Sequence, residues 1–484
     1  MKKSKFSPIL IFIFLWIIVL IFSYILRDTS FYLETQDKNY VIENLLNHSG
    51  IEWILSNGVK NFSDFNVLPI VLIVVLGIGI AEETKYLELV LKQLIIKIPK
   101  YLITPLLLLL GIIGNLAGSA SFAIVPSLGA IMFKIANKNP LLGIITGFIG
   151  VAGGLSANIF ISTTDVISSS ITQNAARIVD KNFNVLPTSN WYFFAVSTIL
   201  LMLVGTLVIE YIVSPMVNKY EVINFQEEIV DLSKNEKKGI FYANISLLGY
   251  LLILILLFIP KNGILRGVDG DLINSTLIKG IIPIITLLFM IPAIVFGKHI
   301  KLINNFNDFI DLLNKSISKY SNFIVLCFFA SQFIGIFKKS NIGLYFSYLG
   351  IKLISKFNLN IYVFIILFIV FSMILNIFIG SMSAKWIIMA PIFIPLFINL
   401  GFTPAFGQLV FRIADSVTNP ISPLEPFVPF ILATMNKYNK DIGFYELFKF
   451  MFPLSISFLI VWLIQLFIYI LFNFNIGPST SIFI

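Results

Sequence analysis

Four residues that could do chemistry stand together in FRIADSVTNPISPLEP (411–426). Arg412 carries a guanidinium, which grips a carboxylate or a sulfonyl group through two parallel hydrogen bonds. Asp415 and Asn419 offer oxygen atoms, the ligands that hard cations prefer, and Glu425 adds a second carboxylate. The surrounding sequence is apolar, and ionisable residues in such surroundings commonly mark ion or substrate pathways. This stretch is therefore the first candidate for a binding site.

Polar interruptions of the same kind occur in the first half of the chain, and they match those of the second half. STTDVISS (162–169) matches SVTNPISP (416–423), so that Asp165 corresponds to Asn419. A second pair of segments matches when an offset of one residue is allowed: Asn115, Gly118, Ser119 and Ser121 correspond to Asn376, Gly380, Ser381 and Ser383. Two matched pairs in the same order indicate an internal repeat.

The composition places these residues in a membrane. Of the 484 residues 57% are hydrophobic and 12% are charged, with a mean hydropathy of +0.93, whereas about a quarter of an ordinary soluble domain is charged. Apolar runs long enough to span a bilayer recur at 8–26, 67–81, 191–213, 241–259, 277–297, 320–337 and 447–473. The net charge of +9 comes from basic residues in the loops, so it predicts orientation rather than a nucleic-acid partner.

The predicted fold is an all-α polytopic membrane protein with about nine transmembrane helices and two re-entrant hairpins. A first helix and an external loop occupy 1–66, and cytoplasmic loops with two connecting helices occupy 214–319. The first repeat covers 67–213, with a hairpin at about 101–134 and a broken helix at about 139–180. The second covers 320–484, with a hairpin at about 360–398, a broken helix at about 404–436 and a last helix at 447–473.

The loop charges predict an orientation. Lys2, Lys3 and Lys5 place the N-terminus in the cytoplasm, because basic residues are retained on that side of the membrane. Counting crossings from there, the chain enters the first repeat from outside and the second from inside, so the repeat is inverted. Inverted repeats with broken helices are typical of secondary transporters, which open a central site alternately to the two sides.

Three segments resemble the AbgT family of p-aminobenzoyl-glutamate transporters: GGLSANIFISTTD (153–165), SAKWIIMAPIFIP (383–395) and FRIADSVTNPISP (411–423). The resemblance runs from about residue 8 to 473. It implies a homodimer in the cytoplasmic membrane of a bacterium, with nine transmembrane helices and two hairpins per subunit. It also implies uptake of p-aminobenzoyl-glutamate or export of sulfonamide antimetabolites, coupled to Na⁺ or H⁺.

The resemblance also assigns roles to residues. It implies a Na⁺ site at Asn376 and Asp415. The positions that it marks as critical are all present with the expected residue type: Asp165, Ser383, Trp386, Pro404, Arg412, Asp415 and Pro423. Glu425 departs from the pattern, in which an uncharged residue is expected. Asn115 and Asn158 are further candidates for cation binding, and Asn419, Ser119 and Ser121 are candidates for the substrate path.

Several of these residues have alternative roles. Arg412 and Asp415 are three positions apart, so they could form an ion pair that holds a broken helix, or Asp415 could bind the cation while Arg412 meets an anionic substrate or gates its path. Asp165 could cap a half-helix or carry the cation through the cycle. Trp386 could anchor the chain at the membrane interface or stack on an aminobenzoyl ring.

Three prolines and several absent motifs complete the predictions. Pro404, Pro420 and Pro423 remove helix hydrogen bonds and are expected to set the break and act as hinges. The sequence contains no G-x-x-x-x-G-K-[ST], H-E-x-x-H or G-x-S-x-G motif. We therefore expect no ATP-driven step, no cofactor and no enzymatic activity. The alternatives are a Na⁺-coupled dicarboxylate or short-chain fatty acid carrier of the same superfamily, a channel, or an intramembrane enzyme.

Overall fold

A computed structural model describes residues 8–33, 38–65, 67–96, 99, 102–118, 120–222, 232–260, 262–267, 275–356, 360–423 and 425–484. The fold is almost entirely helical, as predicted. The helices are α1 (Pro8–Ile25), α2 (His48–Ser63), α3 (Val67–Glu83), α4 (Tyr86–Ile96), α5 (Ile103–Gly114), α6 (Ala120–Ile135), α7 (Pro140–Phe148), α8 (Thr163–Ala176), α9 (Trp191–Val208), α10 (Ser214–Val217), α11 (Lys234–Phe258), α12 (Thr276–Lys279), α13 (Ile281–His299), α14 (Phe306–Ser318), α15 (Ser321–Lys339), α16 (Ile342–Lys356), α17 (Ile361–Phe378), α18 (Met382–Asn399), α19 (Pro404–Thr418), α20 (Val428–Asn436) and α21 (Phe444–Leu471).

Within these ranges, six helices are long and apolar enough to cross a bilayer, or seven if one pair bent by 48° counts as a single crossing. The six are His48–Glu83, Trp191–Val217, Lys234–Phe258, Ile281–His299, Met382–Asn399 and Phe444–Leu471. Shorter apolar helices include most of α1, both halves of the first predicted hairpin and the first half of the second, whose other half is the long helix α18. A polytopic membrane protein is thereby confirmed, while the count of nine crossings and the inversion of the repeat remain predictions. The basic residues at 2, 3 and 5 lie outside the described residues.

The segment predicted as an external loop contains two strands and a helix. Strands β1 (Ser30–Leu33) and β2 (Lys38–Val41) form a two-stranded antiparallel sheet, and α2 follows. Helix α2 packs against α15, where the Gln332 amide donates a hydrogen bond of 2.8 Å to the Gly58 carbonyl. Helix α2 was not predicted because many of its residues are polar, and its contact with α15 cannot be read from the sequence.

Both predicted hairpins are pairs of helices separated by a short break. Helices α5 and α6 flank a 3₁₀ turn at Asn115–Ala117 followed by Gly118, whose φ is +56°. The positive φ of Gly118 favours glycine, and a Cβ there would lie 2.3 Å from Glu82 Oε1, so the Glu82 side chain would also have to move. Helices α17 and α18 flank the corresponding break, and the Ser381 side chain caps α18 by accepting a hydrogen bond from the Ala384 amide at 3.4 Å.

Each hairpin is followed by a helix that begins at a proline. Asn139 caps α7, which starts at Pro140, unwinds through a π-helical stretch at Ile149–Gly153 and resumes as α8. Helix α19 starts at Pro404 and ends in a 3₁₀ turn, Asn419–Ile421, and the chain resumes as α20. The Asn115 amide donates to the Val151 carbonyl, eleven residues after Pro140. The Asn376 amide donates to the Asp415 carbonyl, eleven residues after Pro404.

This shared contact supports the repeat but shifts its alignment. Asp165 lies in the first turn of α8, after the first break, whereas Asn419 lies before the second break. The proposed correspondence of Asp165 with Asn419 is therefore wrong. The similarity of two short polar motifs suggested this correspondence. The structurally equivalent residues are instead those at the same distance from the starting proline, which the hairpin asparagines, Asn115 and Asn376, contact.

Helices α6 and α7 approach so closely that they need glycine at their contact. A Cβ on Gly143 would lie 2.2 Å from the Gly129 carbonyl oxygen, which is backbone and cannot move aside. We expect Gly143→Ala to destabilise the protein by about 1–3 kcal/mol, because overpacking forces the two helices apart. Thermal unfolding of the detergent-purified protein measures the effect.

Gly249 of α11 is the matched control, because a Cβ there would meet no atom within 4 Å. Gly249→Ala should leave the unfolding midpoint unchanged or slightly raised, since alanine is the better helix former. Equal midpoints for Gly143→Ala and Gly249→Ala would show that the α6–α7 contact can relax without cost.

Candidate functional site

Helix α19 carries the central charges of the candidate site. Every residue from Pro404 to Thr418 is buried, and Arg412 and Asp415 are each 1% exposed. Pro404 begins this helix at a position where its missing N–H would be unpaired in any case. Its predicted role in breaking the helix is therefore wrong, whereas Pro420 and Pro423 do lie at the break, in and after the 3₁₀ turn.

Arg412 reaches across to the first broken helix. Its Nη1 lies 2.7 Å from Asp165 Oδ1 in an ion pair that is almost fully buried. Its Nε donates to Ser156 Oγ at 3.3 Å, and its guanidinium carbon lies 4.3 Å from the ring centre of Phe194, a cation–π distance. The guanidinium thus connects the two broken helices and the start of α9.

Asp165 uses both of its carboxylate oxygens. Oδ2 accepts hydrogen bonds of 2.7 Å from the Ser162 amide and the Ser162 hydroxyl, closing the capping box that starts α8. Oδ1 faces Arg412. The predicted capping role is therefore present, and the same carboxylate holds the guanidinium. Whether it also carries a cation stays a prediction.

Asp415 pairs with a lysine. Lys385 Nζ contacts Asp415 Oδ1, and the two side chains are 1% and 0% exposed. The predicted pair of Arg412 with Asp415 is thus wrong. Side chains three positions apart on a helix point about 60° apart, and here α8 and α18 each supply an opposite charge that faces one of them. Asp415 Oδ1 accepts no hydrogen bond in the described part of the chain beyond its contact with the ammonium.

Asn376, at the end of α17, joins the same cluster. Its Oδ1 faces the Lys385 ammonium, while its amide donates to the Asp415 carbonyl at 3.0 Å, to Thr418 Oγ1 and to Asn419 Oδ1 at 2.9 Å. The Asn419 amide in turn donates to Asp415 Oδ2 at 3.3 Å. The structure therefore brings together the predicted residues Asn376, Asp415 and Asn419.

Glu425 lies beside this cluster. It is 7% exposed, it interacts electrostatically with Asp415 and Lys385, and the Phe427 amide donates a hydrogen bond to its carboxylate. Two carboxylates and one ammonium thus occupy one buried region between hairpin and broken helix. We call Asn376, Lys385, Asp415, Asn419 and Glu425 the lysine cluster.

Trp386 is fully buried beside Lys385. Its ring stacks on Phe411 with centroids 4.4 Å apart, and its Nε1 donates to Thr172 Oγ1 at 2.8 Å. The alternative of an interfacial anchor is wrong, because this ring contacts the protein core and not the membrane boundary. Because the ring is fully buried, with Phe411 on one face, stacking on a substrate ring would require neighbouring side chains to move.

The remaining predicted residues are placed less centrally. The Ser121 hydroxyl donates to the Gly118 carbonyl at 2.7 Å and closes the first hairpin turn. Ser383 lies 3.3 Å from Ser381, oxygen to oxygen, at the second tip. Asn158 is buried, with an amide nitrogen that has no partner among the described residues. Ser119 lies outside the described residues.

The first broken helix also borders a large apolar cavity of about 550 Å³. Its lining includes Leu116, Ile159, Phe160 and Trp191, together with residues of α4, α11 and α13. The Trp191 Nε1 donates to the Ile159 carbonyl at 2.6 Å. The charged residues of the two ion pairs are not part of this lining, so the cavity and the lysine cluster are separate features.

Sequence reasoning missed Lys385. The residue was visible in the motif SAKWIIMAPIFIP, where it is the charged residue of an otherwise apolar hairpin arm. The rule that charges within membrane segments are paired and functional was sufficient to select it. Its partner could not be read from the sequence, because Asp415 lies thirty residues later on another helix.

Comparison with known proteins gives consistent results. The model of the AbgT putative transporter family matches residues 5–484. The p-aminobenzoyl-glutamate transport protein of Escherichia coli (strain K12) is 32% identical over 475 residues, covering 98% of this chain and 93% of that protein.

Two solved structures are also similar. The YdaH transporter of Alcanivorax borkumensis, described as having an unusual topology, has a TM-score of 0.93 and 29% identity, covering 98% of this chain and all of that one. MtrF of Neisseria gonorrhoeae, described as illuminating a class of antimetabolite efflux pumps, has a TM-score of 0.90 and 32% identity, covering 99% of this chain and 98% of that one.

Proposed function

This chain belongs to the AbgT putative transporter family, and from that premise we propose that it moves p-aminobenzoyl-glutamate or a related aromatic antimetabolite, coupled to Na⁺ or H⁺. The proposal fits the names of its relatives, a p-aminobenzoyl-glutamate transport protein and an antimetabolite efflux pump. The names of those relatives support the substrate class, and the geometry of this chain supports the mechanism.

One observation carries the mechanism: α19 holds two buried charges of opposite sign, and each is paired with a different element. Arg412 pairs with Asp165 of the first broken helix, and Asp415 pairs with Lys385 of the second hairpin. The two charges are three residues apart on one rigid helix. If Arg412 or Asp415 changes its partner, α19 moves and the other charge moves with it. In this way binding of a cation at Asp415 can be linked to binding of an anionic substrate at Arg412.

Arg412 is the proposed anchor of the substrate. A glutamate-bearing substrate presents carboxylates, and a guanidinium binds a carboxylate through two charge-assisted hydrogen bonds. Such a group can replace Asp165 on Arg412 without leaving the guanidinium unpaired in the membrane. Asn158, whose buried amide nitrogen has no described partner, provides a donor on the same broken helix. Trp386, Ser383, Ser121 and Ser119 are the proposed further lining of the path.

The lysine cluster is the proposed site of coupling. Asn376 and Asp415 supply oxygen atoms for Na⁺, with Asn419 beside them. Asn115 holds the carbonyls of the first break in the same way as Asn376 holds those of the second, so it is the proposed counterpart in the first repeat. Asp165, which faces the proposed substrate anchor Arg412, is proposed to bind H⁺ or a cation during the transport cycle.

Reconstitution tests the function. Purified protein in liposomes should accumulate labelled p-aminobenzoyl-glutamate, or a labelled sulfonamide, only when a Na⁺ or H⁺ gradient is imposed. Succinate serves as the comparison substrate for the dicarboxylate alternative. Accumulation of succinate alone would replace the substrate assignment, and flux that only dissipates gradients would favour a channel.

We further propose a homodimer in a bacterial cytoplasmic membrane, with the N-terminus in the cytoplasm, no cofactor and no chemical change to the substrate. Lys2, Lys3 and Lys5 support the orientation through the positive-inside rule. Labelling of a cysteine introduced before α1, in the Cys327→Ala background, tests the orientation with membrane-impermeant reagents. Light scattering of the purified protein tests the dimer.

A further inference from the structure

The lysine cluster contains a cation that belongs to the chain itself, the Lys385 ammonium. Lys385 Nζ contacts Asp415 Oδ1 and Asn376 Oδ1, the side-chain oxygens of the two residues proposed to bind Na⁺. We infer that Lys385 is a tethered cation that occupies the coupling site when no ion is bound, and that an entering cation displaces its ammonium toward Glu425. This inference rests on the proposed ion coupling and names the residue that makes binding reversible.

Competition follows from the geometry. An ammonium and a Na⁺ ion are both compact monovalent cations that bind oxygen, and the same two oxygen atoms cannot hold both at contact distance. Two unit charges a few ångströms apart repel strongly in a buried, weakly screened region. A cation that takes Asp415 Oδ1 must therefore push the Lys385 ammonium away, and the lysine stem with its rotatable bonds allows this movement.

The charge count of the cluster leaves room for one more cation when Glu425 is ionised. Asp415 and Glu425 together carry two negative charges when ionised, and Lys385 carries one positive charge. The Arg412 and Asp165 pair is already balanced. When Glu425 is ionised, a single added monovalent cation neutralises the lysine cluster, whereas with Glu425 protonated the Lys385–Asp415 pair is already balanced. Uncompensated charge within a membrane is costly. Asp415 Oδ1 is fully buried and accepts no hydrogen bond from the described residues apart from its contact with the Lys385 ammonium, so a displaced ammonium leaves this oxygen atom open to the entering cation.

The position of Lys385 also favours its release. The residue follows the Ser381 cap of α18 and lies in the first turns of that helix, and its amide donates to the Ser381 carbonyl. The N-terminal end of a helix carries a partial positive charge, which disfavours a nearby cation. Glu425, which interacts electrostatically with Lys385, offers the displaced ammonium a second carboxylate. Both features lower the cost of moving Lys385 compared with an ordinary buried ion pair.

Direct Na⁺ binding to the purified, full-length protein tests the inference without any substrate. Equilibrium binding of labelled Na⁺ gives the affinity, and the Na⁺-dependent rise in unfolding temperature gives it independently, because a ligand stabilises the form that binds it. Lys385→Gln should bind Na⁺ at least about tenfold more tightly than the wild type, since the competitor is gone. Glu425→Gln should bind it at least about tenfold more weakly, since the ammonium loses its second carboxylate.

Two further variants separate competition from other effects. Lys385→Gln with Glu425→Gln restores the original charge sum and should bind Na⁺ at least as well as the wild type. Lys385→Arg keeps the charge but holds Asp415 with a two-pronged guanidinium, so competition predicts weaker Na⁺ binding. A remote charge effect predicts no change for this variant. Lys352→Gln, an exposed lysine on α16, is the matched control and should leave Na⁺ binding unchanged.

The outcomes distinguish this inference from the proposed function. Unchanged or weaker Na⁺ binding in Lys385→Gln overturns the tethered cation, and so does a wild type that transports substrate without binding Na⁺. Tighter binding in Lys385→Gln together with no transport of any tested aromatic substrate supports the tethered cation and rejects the substrate class alone. If Lys385→Gln unfolds in the absence of Na⁺, its rescue by Na⁺ during purification shows that Na⁺ can take the place of the ammonium.

Discussion

Replacing Arg412 with glutamine should abolish accumulation of the substrate, even in an imposed ion gradient. The change removes the proposed anchor of the substrate carboxylate and leaves Asp165 buried without its counter-charge. Removing one partner of a buried ion pair costs about 3–5 kcal/mol of stability, so folding must be measured alongside transport. The assay is uptake of labelled p-aminobenzoyl-glutamate into liposomes, together with thermal unfolding of the same preparation.

A conservative variant separates the two effects. Arg412→Lys keeps a positive charge opposite Asp165 but loses the planar guanidinium, which binds a carboxylate through two parallel hydrogen bonds. We expect it to fold and to bind the substrate about 10- to 100-fold more weakly, because one charge-assisted hydrogen bond contributes about 1.5–3 kcal/mol. Arg27→Gln, at an exposed arginine outside the site, is the control. Unimpaired affinity in Arg412→Lys would mean that Arg412 only holds the two broken helices together.

The second large effect is expected at Asp415. Asp415→Asn should end gradient-driven accumulation, because the cluster loses the carboxylate that faces Lys385 and that is proposed to bind the entering cation. The variant should also be about 3–5 kcal/mol less stable, since the Lys385 ammonium is left buried beside a neutral amide. Thermal unfolding and the ratio of internal to external substrate measure the two consequences separately.

A double variant tests the reason for that loss. Asp415→Asn combined with Lys385→Gln removes both charges and should recover most of the stability, because a buried pair can often be replaced by neutral groups at little cost. Gradient-driven accumulation should remain absent, since the carboxylate is still missing. A double variant that accumulates substrate normally would exclude Asp415 from coupling. One that stays as unstable as Asp415→Asn would show that the ion pair itself stabilises the fold.

The two effects should also differ in what the ion gradient can restore. Arg412 faces Asp165 and is the proposed anchor of the substrate, whereas Asp415 faces Lys385 in the proposed cation site. A larger gradient should therefore compensate part of the lost affinity in Arg412→Lys, whereas no gradient drives accumulation in Asp415→Asn. This contrast follows from the placement of both charges on one helix, and a single series of gradient strengths measures it.

Much of the fold could be predicted from the sequence. Long apolar runs, polar interruptions and prolines identify a polytopic membrane protein with broken helices, because a bilayer tolerates irregular backbone only where protein or water covers it. The residue types in FRIADSVTNPISPLEP and GGLSANIFISTTD indicated where the charges lie. Helix α2 was missed because a half-exposed helix outside the apolar runs carries no comparable signal.

The order of residues was thus enough to locate the charges and, roughly, the breaks in the helices. Which charges meet depends on how the helices pack: Arg412 pairs with Asp165, and Asp415 pairs with Lys385. Spacing along one helix fixes the angle between two side chains, but it says nothing of the charges that neighbouring helices bring. In a low-dielectric interior the nearest opposite charge determines the pairing, and only packing establishes which one is nearest.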